Sequence, residues 1–453
     1  MKIAGRPAKF YGTIRLPPSK SYLHRALFAA ALCTGSSSLM NCGVELNQDI
    51  QATISCLNQL DVEIRQRPAN YGTLLVTPGK NSVKEVTVNA QASGTTARFI
   101  IPFAALSKSG SQVRIIGDQS LAKRPMRSIF EALAQLGVTC RSENSGKTLP
   151  IIVEGGGIKG GECEVDGSVS SQFVSSLLLS CTRADEDTII HIRNPEKQVS
   201  EPYIEATIKA LKFFGFKIDL LTSKNQRFDS FKIKGNQIVP GKKRFAIPGD
   251  MSSAASLLCS ALASNGELTL SNFGDGTFPQ PDSAIVPIAS RFGGKIARRS
   301  LGLGIKTDGV ISKEELTFDL GDSPDLVPAI AGVSAATGSH VHLVNIGHLR
   351  FKESDRLAVL SRELGKIGVV AVEKRSSLEI KPSRRPGDFR KPILLDPEKD
   401  HRILIALTIA GLSGRFGELH IQDPDCVKKS YPDFVSDLQK ACHEKSTVAI
   451  IQT

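Results

Sequence analysis

A polar opening followed by an apolar, helix-length run returns six times along the 453 residues, and its spacing constrains the fold more than any single motif does. The copies are PSKSYLHRALFAAALCTG from Pro18, ASGTTARFIIPFAALSKSG from Ala92, GSVSSQFVSSLLLSC from Gly167, GDMSSAASLLCSALASNG from Gly249, SPDLVPAIAGVSAATG from Ser323 and KDHRILIALTIAGLSG from Lys399, with starts 74, 75, 82, 74 and 76 residues apart. A second marker closes an amphipathic helix in five of these units: Leu60-Asp61-Val62, Leu136-Gly137-Val138, Phe214-Gly215-Phe216, Phe292-Gly293-Gly294 and Ile367-Gly368-Val369. Its central residues lie 76, 78, 78 and 75 apart. Two patterns sharing one period describe a repeated structural unit that buries its apolar face against its neighbours. Strand-like stretches lie between the helices, at Glu85 to Val88, Gln112 to Ile116, Ile189 to Ile192, Leu268 to Leu270 and His340 to Val344, because apolar and β-branched residues there follow a period of two. Each unit reads as two helices and several short strands, which makes the chain α/β.

The first helix of each unit opens on Ser, Thr, Asp or Gly, residues that satisfy free backbone N–H groups at a helix start. If the six units pack symmetrically, equivalent N-termini converge, and helix N-termini attract anions. The polar, basic stretch from Thr222 to Arg244 reads as the boundary between two lobes of three repeats, with a cleft between them. A net charge of +12 points to anionic partners. Trp is absent and Tyr numbers five, so base-stacking platforms are poorly supplied. Small phosphorylated acids therefore fit better than nucleic acid, for which only the +12 charge speaks. Nine scattered cysteines never spaced as CxxC suggest reduced core thiols rather than zinc or disulfides. No apolar run approaches the roughly 18 residues of a membrane helix, and MKIAGRPAKFYG lacks a secretion signal. A soluble, cytoplasmic protein is expected.

The helix openings carry the unusual polar residues. Lys20 and Arg25 flank a helix start with Ser19 and Ser21. Gly94-Thr95-Thr96 before Arg98 reads as a phosphate nest or an ordinary turn. Arg124, before Pro125, is placed at the opening of the second helix of repeat two, where it could grip a carboxylate or phosphate bidentately or form a surface ion pair. Ser170-Ser171-Gln172 offers two hydroxyls and an amide, with capping as the alternative role. Asp325, ahead of an apolar run, is an N-cap or a tunable base. Lys352 to Arg356 packs four charges into five residues after His348 and Arg350, as a site or a solvated helix start. Asp400-His401-Arg402 precedes another apolar run, and Lys429 lies in VKKSYPDF.

Taken together, PPSKSYLHRAL, SGTTARF, GDQSLAKRPM, DGSVSSQF, SEPYI, GDMSSAA, HLRFKESDR, DHR and VKKSYPDF run in order from Leu16 to Phe434. In these motifs the chain closely resembles the 5-enolpyruvylshikimate-3-phosphate (EPSP) synthase family of enolpyruvyl transferases. The resemblance implies a two-lobed inverse α/β barrel built from six βαβαββ repeats, three per lobe. The lobes would be 21–246 and 1–20 plus 247–453, closing on substrates in the cleft between them. It implies transfer of the enolpyruvyl group of phosphoenolpyruvate to the 5-hydroxyl of shikimate 3-phosphate, with release of phosphate. The two substrates together bring about five negative charges to be offset.

By the same resemblance, Lys20, Gly94, Arg124, Gln172, Arg356, Arg402 and Lys429 would hold phosphoenolpyruvate. Lys20, Ser21, Arg25, Ser170, Ser171, Gln172, Ser200, Asp325, His348 and Lys352 would bind shikimate 3-phosphate. Proton transfer falls to Asp325 as base at the 5-hydroxyl, Glu353 as donor at carbon 3, Lys20 and His401. No metal or cofactor is implied, nor a membrane or nucleic-acid partner, and the chain is expected to be a monomer. Ala92 stands where the family usually has Asn, and Ile403 and Ile405 stand where it has Met. Gly94 leaves room for the inhibitor glyphosate. The sister family acting on UDP-N-acetylglucosamine pairs Lys with Asn near its start and carries a loop Cys. Here Lys20 precedes Ser21 and the RPM loop holds no Cys.

Overall fold

The computed structural model describes residues 1–4, 10–67, 71–80, 82–144, 146–224, 227–274, 276–300, 302–307, 314–381, 391–441 and 449–451. Its strands form six four-stranded sheets of one connectivity. In repeat two, Glu85–Asn89 pairs parallel with Gln112–Ile116 across the helix Gly94–Ala105. Ile151–Glu154 then returns antiparallel to Gln112–Ile116, and Cys140–Ser142 lies outside it. This is a βαβαββ unit with strand order first, second, fourth, third. Repeats three and five follow the same order within continuous sequence.

The other three sheets borrow a strand from elsewhere in the chain. Arg244–Ala246 supplies the first strand of repeat one, parallel to Ser37–Met40. Tyr11–Arg15 supplies the first strand of repeat four, parallel to Glu267–Ser271. Lys2–Ala4 supplies the fourth strand of repeat six, between Leu419–Ile421 and Ala449–Ile451.

The first helix of each repeat is nearly buried all round. In Met251–Ala263 the residues from Met251 to Leu262 are buried, and in Val327–Thr337 those from Val327 to Ala336. A helix that is apolar on every face belongs inside a core. These two helices pack on each other and on His401–Gly411, and the sheets lie outside them. Gly332 makes one such contact possible, since a Cβ there would lie 2.4 Å from the Ala406 carbonyl oxygen. The helices Lys20–Ala31, Gly94–Ala105 and Gln172–Ser180 are equally buried in repeats one to three.

The second sequence marker has a conformational cause. The helices Gln48–Gln59, Arg127–Gln135, Pro202–Phe214, Ile285–Arg291 and Arg356–Lys366 all stop one or two residues before its central residue. Its central residues Asp61, Gly137, Gly215, Gly293 and Gly368 have φ of 69°, 78°, 107°, 95° and 78°. A left-handed residue after the last turn satisfies the end carbonyls, and glycine adopts it without steric cost. Asp61 is held there by side-chain bonds from Ser82 Oγ at 2.9 Å and Lys80 N at 3.0 Å.

By their contacts, Met1–Pro17 with Gly249–Thr453 form one unit and Pro18–Pro248 the other. Each contains three of the six sheets. Lys20 falls in the unit Pro18–Pro248, where the Ser19 amide before it donates to Pro248 O at 2.8 Å. The stretch from Thr222 to Arg244 lies inside the unit Pro18–Pro248, shortly before its end. Ile218–Lys224 and Arg227–Ile233 form the antiparallel hairpin of repeat three, and exposed residues such as Lys232 give it its polar character. Among the described residues no helix is long and apolar enough to cross a membrane.

Candidate active site

In the unit Pro18–Pro248, Lys20 is the first residue of its helix, and its Nζ donates to Asp49 Oδ2 at 2.8 Å. Arg25, one turn on, is buried. It ties its own helix to the helix Pro202–Phe214 by donating to Thr207 Oγ1 (2.8 Å) and Tyr203 O (2.9 Å), and it holds Ser21 O at 2.8 Å. Thr207 Oγ1 in turn donates to Ser175 Oγ at 2.8 Å. Burial lowers the Arg25 guanidinium to about 10, still charged at neutral pH. Ser200 sits at the mouth of the same helix in the left-handed region, at φ 54°.

The Gly94 opening places a capped helix start against a buried cation. Ser93 caps its helix by accepting from Thr96 N at 3.3 Å. Gly94 lies against Arg124, so that a Cβ there would approach Nη1 to 2.7 Å. Arg124 is buried, but it does not open the second helix of repeat two. That helix begins at Arg127, and Arg124 occupies the bend after the short helix Gln119–Ala122, where Pro125 interrupts the backbone donors. Arg98 Nη1 donates to Gln172 Oε1 (2.7 Å) and Ser170 Oγ (3.1 Å), and its guanidinium lies over Phe173. Gln172 Nε2 reaches Thr95 Oγ1 at 2.9 Å. Ser170 Oγ also accepts from Gln172 N at 3.2 Å, whereas Ser171, the buried cap residue, makes no side-chain capping bond.

In the unit Met1–Pro17 with Gly249–Thr453, five of the expected residues form one charged network. Arg356 donates through Nη1 to Asp325 at 3.1 Å, through Nη2 to Glu353 at 2.9 Å and through Nε to Asp400 at 2.9 Å. Arg402 Nη2 lies 3.5 Å from the other Asp325 oxygen, and Lys429 Nζ lies 2.9 Å from the other Glu353 oxygen. Burial opposes the charge of Arg356, but Asp400, Glu353 and Asp325 outweigh it and hold the guanidinium well above its ordinary range. Burial likewise opposes Arg402, and the charges of Asp325, Asp250 and Asp282 raise it. Asp325 is not the N-cap of its helix. Leu326 takes that position, and Asp325 stands in the preceding turn Pro324–Leu326.

His348 is buried in the turn Gly347–Phe351, beside half-buried Lys352 at the end of that turn. Burial first, then the charge of Lys352, lowers the imidazole to about 3, so it is neutral. His401 is buried with Nδ1 3.9 Å from Asp400 Oδ1.

Four participants escaped the sequence reading as site residues. Asp49 resembles any acid in a helix first turn, and in sequence Arg98 marks only a nest. Asp400 accepts from Arg402 N and Ser354 Oγ as well as from Arg356, a counter-ion role that its motif does not reveal. Asp282 is buried and accepts from Ser252 Oγ, and its motif PDSAIVP reads as a plain turn. Burial first, then the charge of Asp325, pushes its carboxyl up to about 7. Eight cysteines are described. Cys33, Cys42, Cys56, Cys163, Cys181 and Cys259 are buried free thiols, and Cys140 and Cys426 are half-buried; Cys442 lies outside the described residues.

These networks set Lys20, Arg356 and Arg402 at helix openings, beside several neutral donors, an arrangement suited to phosphate and carboxylate groups. A 3-phosphoshikimate 1-carboxyvinyltransferase of Korarchaeum cryptofilum is 33% identical over 435 residues, 96% of this chain and 97% of that one. One from Methanosarcina mazei is 35% identical over 437 residues, 94% and 95% of the two chains. The crystal structure of EPSP synthase from Acinetobacter baumannii superposes with a TM-score of 0.72 at 22% identity, covering 97% of this chain and 98% of that one, which establishes the shared fold. The family model for EPSP synthase (3-phosphoshikimate 1-carboxyvinyltransferase) matches residues 5–438, and the chain belongs to that family.

Proposed function

We infer that this chain catalyses the 3-phosphoshikimate 1-carboxyvinyltransferase reaction, a step of aromatic amino-acid biosynthesis. Phosphoenolpyruvate and shikimate 3-phosphate yield the enolpyruvyl ether and phosphate. The observation that carries this reading is the network joining Asp325, Glu353, Arg356, Arg402 and Lys429.

Arg356, Arg402 and Lys429, with Lys20 and Arg124, are the cations for phosphoenolpyruvate, and Gly94 and Gln172 complete its surroundings. Lys20, Ser21, Arg25, Ser170, Ser171, Gln172, Ser200, Asp325, His348 and Lys352 serve shikimate 3-phosphate. Asp325 takes the proton of the 5-hydroxyl as that oxygen bonds to carbon 2 of the enol. Glu353 delivers a proton to carbon 3, so that a tetrahedral ketal forms. Its collapse breaks the carbon–oxygen bond to phosphate, carbon 3 returns a proton, and the vinyl ether and inorganic phosphate leave. Positioned acids and bases contribute about 10²–10⁴-fold, and preorganised cations supply much of the rest. Lys20 and His401 complete the proton set. His348, neutral by burial, can serve shikimate 3-phosphate as a hydrogen-bonding group without adding charge.

The test is phosphate release from phosphoenolpyruvate by purified protein with and without shikimate 3-phosphate. Release only with both substrates is expected, and release falling at least about 100-fold in Lys20→Ala and Arg124→Ala. Near-normal rates in either variant would remove that residue from the assignment. The same assay in millimolar glyphosate is expected to show inhibition, since Gly94 carries no side chain into the space beside Arg124. The reading also takes the enzyme as a cytoplasmic monomer; light scattering checks the oligomeric state, and fractionation with immunodetection checks the location.

A further inference from the structure

The reaction assigned to Lys20 needs its ammonium in one place, yet a lysine carries four rotatable carbons and about 2 kcal/mol of rotamer entropy. The nearest anchor is Asp49. Its Oδ2 accepts from Lys20 Nζ at 2.8 Å, with side-chain exposures of 18% for the lysine and 7% for the acid. Asp49 is the second residue of the helix Gln48–Gln59, capped by Asn47, whose Oδ1 accepts from Ile50 N at 3.0 Å. A carboxylate in that first turn is favoured by the helix dipole.

The backbone of Asp49 is fastened too. Its carbonyl oxygen lies 3.3 Å from Thr53 Oγ1 and 3.3 Å from Thr96 Oγ1. Those two hydroxyls lie 2.7 Å apart, Thr96 Oγ1 donates to Ser93 Oγ at 2.7 Å, and His24 Nδ1 lies 2.8 Å from Thr53 Oγ1. All of these side chains are buried. Lys20 and His24 stand one turn apart on one helix, and Ser93 and Thr96 flank Gly94. The hydroxyl chain therefore sets Asp49 at a fixed place between the Lys20 helix and the Gly94 opening.

We propose that Asp49 is a positioning residue of the enzyme: it holds the Lys20 ammonium in register with the Gly94 opening, so that the lysine meets the phosphoenolpyruvate phosphate already oriented. The proposal rests on the functional reading above. Asp49→Asn keeps the shape and removes the charge that grips the lysine. We expect kcat to fall about 10- to 100-fold and KM for both phosphoenolpyruvate and shikimate 3-phosphate, the two substrates assigned to Lys20, to rise, with thermal unfolding within a few degrees of the parent. Asp49→Glu, which restores the charge, should recover part of kcat.

A cycle with Lys20→Ala isolates the coupling. If Asp49 acts through Lys20, Asp49→Asn costs no more than about twofold in the Lys20→Ala background, read as residual phosphate release over long incubations. Full additivity of the two losses, or an unaltered kcat and KM in Asp49→Asn, would overturn the proposal. If the parent enzyme releases no phosphate with both substrates, it is the functional reading that fails. If the parent is active and Asp49→Asn matches it, the reading stands and this inference falls.

Discussion

Gly94 and Arg124 show how one missing side chain shapes a binding site. Any Cβ at residue 94 would come within 2.7 Å of the Arg124 guanidinium, well inside van der Waals contact. A methyl there must push the buried Arg124 guanidinium aside, and in the function proposed above that group holds phosphoenolpyruvate. Gly94→Ala is therefore expected to raise KM for phosphoenolpyruvate about tenfold or more, on the 1.4 kcal/mol-per-decade scale, while KM for shikimate 3-phosphate and the melting temperature change little. Steady-state kinetics with each substrate varied in turn would check this.

Asp282 makes a different prediction at the same scale. Burial and Asp325 hold its carboxyl near 7 in the folded chain, against about 3.9 when unfolded. Between those values the folded protein keeps a proton that the unfolded chain releases. Its contribution to stability is whole below about pH 4 and is lost as pH rises through about 7. Asp282→Asn cannot ionise, so the melting temperature of the variant should gain on the parent as pH goes from 5 to 8. A difference that is flat or reversed across that range would refute the assignment.

At the scale of elements, what was legible in the sequence was whatever is coded locally. The all-round apolar helices announce themselves by composition, and the marker after the second helix is legible because a left-handed backbone calls for Gly or Asp at one position. The strand Gln112–Ile116 falls where its alternation predicts, and the strands near 85, 189, 268 and 340 fall within one or two residues. The carboxylates opposite the cations were not legible in the same way. Asp49 and Asp282 earn their roles only through partners 29 and 30 residues distant, Lys20 and Ser252, and nothing in their own segments marks them. Arg124 was misplaced because a Pro after a short helix looks the same in sequence whether it starts the next helix or bends the chain before it.

Helix packing gives its own test. The helices Val327–Thr337 and His401–Gly411 approach so closely at Gly332 that a methyl would meet the Ala406 backbone at 2.4 Å, and backbone cannot rotate away. Overpacking of this kind costs about 1–3 kcal/mol. At about 2–4 °C per kcal/mol for a unit of this size, Gly332→Ala should lower the melting temperature by several degrees, measurable by differential scanning calorimetry, whereas the same change at Gly365, where a Cβ would meet nothing within 4 Å, should not.

For the whole molecule, the even period of the sequence conceals an uneven chain. Repeats one to three draw every strand of their sheets from within Pro18–Pro248, because Arg244–Ala246 closes repeat one. Repeats four to six do not, since Tyr11–Arg15 and Lys2–Ala4 complete two of their three sheets. No periodicity argument could assign those strands, because strand pairing between residues more than 250 positions apart leaves no local trace. The asymmetry has a physical consequence for folding. A fragment Pro18–Pro248 has three complete sheets around its own buried helices and should unfold cooperatively by itself. A fragment Gly249–Thr453 lacks the first strand of one sheet and the fourth of another, leaving unpaired edges and the apolar positions that Ile3 and Ile14 cover. It should show no cooperative thermal transition by circular dichroism until residues 1–17 are restored by fusion to its sequence through a flexible linker. A cooperative transition in Gly249–Thr453 without those residues would mean that the borrowed strands are dispensable and that the six units are closer to autonomous than their sheets suggest.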